Sequence, residues 1–210
     1  MTKLPINEHS TLPDISSSNN GPTWCEEQQI YINGTIASST HAEDYINSIL
    51  SSIVDDDNNK EINLHIFGYG SLCWNPGSND EVLANVKVKQ QVAKAIGWKR
   101  CWCQKSTDHR GNVSFPGLVC TLLSDDEINS IIITQKKQNN SKIEGSINVK
   151  SEISLTEGVL YTIPCELIEQ CLAELDFREK GGYARDIIDV EIQDGSLKYY
   201  QKALLYRGMY

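Results

Sequence analysis

Apolar positions along this 210-residue chain fall into two periods. Tyr45, Ile46, Ile49, Leu50, Ile53 and Val54 recur every three or four residues, which predicts a helix from about 41 to 54, with Thr40 and Glu43 as a capping box. Leu167, Ile168, Cys171, Leu172 and Leu175 form a second helical face behind Pro164, a residue suited to a first helical turn. The remaining apolar runs read as strands. Leu64 to Phe67 is a short buried strand opening at Gly68, and Val86 to Ile96 and Trp98 to Cys103 alternate with a period near two. Leu118 to Leu123 and Gly158 to Ile163 add two more. Ile187 to Ile192 and Tyr199 to Tyr206 flank Gln193-Asp194-Gly195-Ser196, which predicts a hairpin.

Three tracts lack a period. Residues 1 to about 28 are rich in Ser, Asn, Pro and Thr and read as mobile. Asp55-Asp56-Asp57-Asn58-Asn59-Lys60 reads as a solvated linker, since it lacks the glycine and distal glutamate of a calcium loop. Residues 134 to 152 read as a long exposed loop. The expected organisation is therefore an extension over 1–60, a mobile tract plus one amphipathic helix, followed by a folded domain over 61–210 with a polar insertion at about 134–152.

Charge and cysteine usage narrow the classes. A net charge of −9 repels phosphate backbones and anionic lipid, so no nucleic-acid partner is expected. No apolar run approaches the roughly 18 residues of a membrane helix, so no membrane association is expected either. Seven cysteines, an odd number, without a preceding signal segment read as reduced thiols in a cytoplasmic setting. Cys101 and Cys103 are read as facing opposite sides of one strand and so as unable to share a zinc ion. Cys171 reads as a small buried hydrophobe, and Trp98, Trp102 and Tyr161 as core aromatics.

Two segments carry candidate chemistry. Asp176-Phe177-Arg178-Glu179-Lys180-Gly181-Gly182-Tyr183 follows the second helix and sets a carboxylate beside two cations at a glycine turn. Glu179 there is either a general acid/base in a partly buried site or an exposed helix-end ion pair. Phe67-Gly68-Tyr69-Gly70-Ser71-Leu72 leaves a strand with unobstructed backbone N–H groups, either an anion-binding nest or a plain tight turn. Ser106-Thr107-Asp108-His109-Arg110-Gly111 reads as a loop that satisfies its own polar groups, and it lacks a nucleophile elbow.

With those residues in hand, the chain resembles the ChaC-like γ-glutamylcyclotransferases, enzymes that act on glutathione. The resemblance rests on Phe67 to Leu72, Trp74, Ser106 to Gly111, Pro116-Gly117, Thr121 to Leu123, Gly158-Val159, Tyr161 and Leu175 to Tyr183, in the family's order, and covers about Leu64 to Tyr206. It implies an α+β γ-glutamylcyclotransferase-like fold, a small mixed β-barrel with flanking helices. It implies conversion of glutathione to 5-oxoproline and cysteinylglycine, with Glu179 as catalytic residue and Phe67, Gly68, Tyr69, Gly70, Ser71 and Leu72 as the substrate-holding loop. Arg178, Tyr183, Asp108 and Arg110 are read as supporting residues; neither metal nor cofactor enters the scheme. The alternatives are cyclisation of other γ-glutamyl amines or amino acids, and a catalytically silent binding module. Two departures stand out: the family's Pro-Gly-Arg reads Pro116-Gly117-Leu118, and the C-terminus is read as shortened, because the family continues past the hairpin whereas this chain ends at Tyr210.

Overall fold

A computed structural model describes residues 23–25, 30–32, 37–55, 62–78, 80–107, 110–112, 114–138, 152–179 and 183–209. Residues 56–60 of the linker read at 55–60, Asp108, Lys180, Gly181-Gly182 and most of the N-terminal tract lie outside these residues. At the end of the tract over 1 to about 28 that reads as mobile, β1 (Thr23–Cys25) pairs antiparallel with β2 (Ile30–Ile32).

β3 (Ala37–Ser38) leads straight into α1 (Thr40–Asp55), the helix anticipated from its apolar face. Its cap is Ser39 and not Thr40: the Ala42 N–H donates to Ser39 Oγ at 3.2 Å, and the Ser39 carbonyl accepts from Ala42 and Glu43. Pairing of β3 with a neighbouring strand carries Ser39 in at the helix start, where its own N–H donates to the Arg185 carbonyl at 3.0 Å. Glu43 is thereby released to pair with Arg185 at 3.2 Å.

β4 (Asn63–Gly68), β5 (Lys89–Ile96), β6 (Trp98–Ser106) and β7 (Gly117–Ser124) follow, and then α2 (Asp125–Gln138). Thus residues 134–138, read above as loop, are helical. Ser124 and Glu127 nucleate α2 as a reciprocal capping box: Ser124 N–H donates to Glu127 Oε2 at 2.7 Å and Glu127 N–H to Ser124 Oγ at 3.1 Å. The chain continues through β8 (Leu155–Pro164), α3 (Ile168–Arg178), β9 (Tyr183–Asp194) and β10 (Leu197–Gly208), the last two forming the hairpin around Gly195 at φ 59°.

The architecture is α+β. β10, β4, β8, β5 and β9 are hydrogen-bonded in that order, and β9 pairs back with β10, so the five strands close into a barrel. It is mixed because β10 runs parallel to β4 while its other neighbours are antiparallel. β3 extends the free half of β9, and β6 with β7 forms a separate hairpin.

Strand alternation splits the apolar side chains into two cores. Phe67, Tyr69, Ala93, Ala95, Leu160, Val190, Ala203 and Leu205 fill the barrel interior, where alanines make room for the aromatic rings. Leu64, Ile66, Tyr161, Ile163, Leu204 and Tyr206 point outward and bury Ala42 and Ile46 of α1 with Ile168, Cys171, Leu172 and Leu175 of α3. Trp98 and Tyr161 are buried at least in part, as expected, but Trp102 is 71% exposed. It lies on β6 of the β6–β7 hairpin, across the ladder from Cys120.

Residues two apart on a strand share a face, so the reading of Cys101 and Cys103 on opposite sides fails in principle. A bulge between Trp102 and Gln104 displaces Cys103 further. Its thiol is pushed up to about 11, chiefly by burial and then by the neighbouring Cys101 and Cys120. Among the described residues, no helix is long and apolar enough to cross a membrane.

Candidate active site

The loop after β4 and the end of α3 meet at one mouth of the barrel. Gly68 closes β4, Tyr69 turns its ring into the barrel core, and Gly70 opens a single turn over Ser71–Cys73. The turn is stapled internally: Cys73 N–H donates to the Gly70 carbonyl at 2.9 Å, and Asn75 N–H to the Ser71 carbonyl at 2.8 Å. From below, the Tyr161 hydroxyl donates to the Leu72 carbonyl and the Cys73 thiol to the Gly68 carbonyl at 3.2 Å. A Cβ on Gly70 would meet nothing within 4 Å, so the space beside that residue is open.

Glu179 is carried by the last turn of α3, where its N–H donates to the Leu175 carbonyl at 2.8 Å. Its side chain is 14% exposed, and Arg178 Nε lies 3.3 Å from Glu179 Oε1. The same guanidinium reaches the other segment: Arg178 Nη2 donates to Ser71 Oγ at 3.3 Å and to the Asn75 carbonyl at 3.1 Å. One side chain therefore touches both the acid and the glycine loop, which are separated by more than a hundred positions in the chain.

The phenol of Tyr69 reports the same proximity. Burial raises it most, the nearby Tyr183 and Glu179 raise it further, and a hydrogen bond with Thr121 works the other way. The hydroxyl of Thr121 in turn donates to the Gly208 carbonyl at 2.8 Å, which ties the β6–β7 hairpin to the barrel end. The charges of Tyr183 and Glu179 are thus felt at the Tyr69 phenol.

Asp176, the first acid of the segment, has a supporting role that sequence reasoning missed. It accepts the Tyr206 hydroxyl at 2.7 Å and lies 3.7 Å from Arg185, which also holds Glu43 of α1. The end of α3 is therefore pinned to β10, β9 and α1 just ahead of Glu179. No pattern within the segment singles out Asp176, because its partners are 9 and 30 positions away.

The Ser106–Gly111 loop follows β6 and leads back to β7. Arg110 is exposed, and a Cβ on Gly117 would collide with its carbonyl, so the two ends of the loop run backbone to backbone. Asn112 and Phe115 exchange backbone hydrogen bonds at 3.1 Å, and the Asn112 side chain accepts a third. Asp108 lies outside the described residues. Leu118, the departure noted above, is 54% exposed on β7, paired across the ladder with Lys105. Among the described residues, no group of three or more His, Cys, Asp or Glu side chains is arranged to hold a metal ion.

The family model for ChaC-like proteins matches residues 64–208. The glutathione-specific γ-glutamylcyclotransferase of Saccharomyces cerevisiae is 29% identical over 136 residues, 64% of this chain and 55% of that protein. Its Schizosaccharomyces pombe counterpart is 29% identical over 155 residues, 70% of this chain and 64% of that protein. The human glutathione-specific γ-glutamylcyclotransferase 1 is 32% identical over 122 residues, 57% of this chain and 40% of that protein. The chain thus spans about two thirds or less of the length of these relatives. The crystal structure of a yeast γ-glutamyl cyclotransferase specific to glutathione superposes with a TM-score of 0.53 at 25% identity, covering 71% of this chain and 69% of that one.

Proposed function

For a chain that belongs to the ChaC-like family, with residues 64–208 inside the family match, we propose cleavage of glutathione to 5-oxoproline and cysteinylglycine. The observation that carries this reading is the Arg178 bridge, which holds the half-buried Glu179 carboxylate against the Ser71 turn. An exposed helix-end ion pair would need no such second anchor.

The substrate brings its own nucleophile. Its free α-amine lies one five-membered ring away from the γ-carbonyl carbon, so folding the γ-glutamyl group back on itself converts amide cleavage into an intramolecular step. An α-ammonium with a reference pKa of about 7.7 to 8.0 is mostly protonated at neutral pH and must lose a proton before it attacks. Glu179 takes that proton as general base. The new carbon–nitrogen bond closes the lactam, the bond to the cysteinyl nitrogen breaks, and the two protons shed by the attacking nitrogen end on the departing amine. No water is consumed. Phe67 to Leu72 hold the γ-glutamyl group through backbone N–H groups at Gly70 and Ser71. Arg178, Tyr183 and Tyr69 shape the charge around the acid.

The free cysteines among the described residues suit a reducing, cytoplasmic setting. The test is incubation of the purified protein with glutathione while cysteinylglycine release is followed. Glu179→Gln keeps the shape of the side chain but cannot accept a proton; it is expected to remove most turnover and leave glutathione binding in place. Equal release by both proteins would sink the assignment. The exposed Leu118, where the family carries arginine, favours comparing other γ-glutamyl amino acids in the same assay.

A further inference from the structure

Arg100 stands on β6 opposite Leu122 and reaches over to the end of β4. There Nε and Nη2 both donate to the Tyr69 carbonyl, at 3.1 and 2.9 Å, and Nη2 also donates to the Glu157 carbonyl on β8. No carboxylate among the described residues pairs with this guanidinium. A fork that suits a carboxylate is instead closed on backbone oxygens, with two of its nitrogens on that of Tyr69.

That oxygen belongs to the peptide joining Tyr69 to Gly70. The peptide is planar and trans, so holding its C=O also sets the direction of the Gly70 N–H, which points the opposite way. Gly70 has no side chain to hinder rotation and nothing within 4 Å of where one would be. Its N–H has no acceptor among the described residues. The staples described above hold the flanking residues, at the Gly68, Gly70 and Leu72 carbonyls, and Arg100 is the side chain that holds the carbonyl of this peptide itself. A cation on the oxygen side of an amide also polarises its N–H toward an anion on the far side.

We infer that Arg100 is a positioning residue: it locks the Tyr69–Gly70 peptide so that the Gly70 N–H meets the γ-carbonyl oxygen of the substrate as that oxygen gains charge. The inference rests on the proposed cyclisation. As the α-amine adds to the γ-carbonyl carbon, the carbonyl electron pair moves onto oxygen, and it returns when the cysteinyl nitrogen leaves. A donor fixed in advance favours that charged state over the bound ground state. A loose donor, free to turn with Gly70, would have to be ordered at every turnover.

The test compares the full chain with Arg100→Met and Arg100→Lys, with glutathione as substrate and cysteinylglycine as the readout. Arg100→Met is expected to lower kcat by about 10- to 100-fold with KM changed less than about threefold, at a melting midpoint near that of the parent. Arg100→Lys, which keeps the charge and one donor direction, should recover part of the loss. If Arg100→Met does not fold, the same kcat-selective loss, smaller in size, is expected in Arg100→Lys. In amide spectra, the Gly70 resonance should move on glutathione binding in the parent and respond weakly in Arg100→Met. Turnover in the two variants within threefold of an active parent overturns the inference and leaves the functional reading standing, as does a loss confined to KM. A parent without turnover overturns the reading and this inference together.

Discussion

Arg178 is the residue on which the candidate site closes. Its guanidinium spans Ser71 Oγ, the Asn75 carbonyl and the Glu179 carboxylate, a set that only a planar, multi-donor group can hold at once. Lysine at this position would keep a charge near Glu179 but could not grip the loop as well. Arg178→Lys is therefore expected to reduce kcat/KM for glutathione by roughly 10- to 100-fold while changing the melting midpoint little, since misplacement of about an ångström is enough to cost that much. An unchanged kcat/KM would show that the loop and the acid hold their places without the bridge. The adjoining glutamate was legible as a candidate from its cationic neighbours; that one of those neighbours serves as the clasp was not.

At the scale of elements, α1 and β3 lie outside residues 64–208, yet α1 is built into the same core and β3 is paired with β9. Ala42 and Ile46 of α1 pack with Leu172 and Leu175 of α3, and Glu43 reaches Arg185, which faces Asp176 at the end of that helix. Ile46→Ala removes side-chain volume from a closely packed cluster and should lower the unfolding free energy by about 2 to 5 kcal/mol, measured by urea denaturation. A loss below about 0.5 kcal/mol would mean that α1 rests on the barrel without sharing its core. α2 is held differently, by Glu127, which caps its start and lies 3.1 Å from Arg207. Arg207 is itself buried, 4% exposed, with Asp186 at 2.7 Å and the Trp98 ring at 5.2 Å. The carboxylates beside it raise its pKa against the opposing effect of burial.

For the molecule as a whole, burial of ionisable groups that must stay neutral sets the alkaline limit. Burial pushes the Cys171 thiol from 9.0 up to about 12 and the Tyr45 phenol from 10.0 up to about 12. In the unfolded chain these groups ionise near their ordinary values, while the fold keeps them protonated. Their contribution to stability is complete below pH 9, and it is lost as pH rises from 9 toward 12. The urea midpoint is therefore expected to fall steeply over that window, and Cys171→Ala should flatten the fall even though it lowers stability at pH 8. A slope unaffected by the substitution would place the alkaline transition elsewhere.

Helical faces at 41–54 and 167–175, the β9–β10 hairpin, and the loop and acid segments could all be read from the chain, because each depends on residues within a few positions of one another. The Ser124/Glu127 box that starts α2 was equally local and open to the same reading. What the linear order could not determine is which surfaces meet. Closure of the barrel through β10 beside both β4 and β9, the exposure of Trp102, and the bridging of Ser71 to Glu179 by Arg178 each depend on pairings between distant parts of the chain. Period and side-chain chemistry say what a segment can bury or donate; only the packed molecule supplies the partner, since its contacts lie tens of positions away in sequence and are chosen by shape.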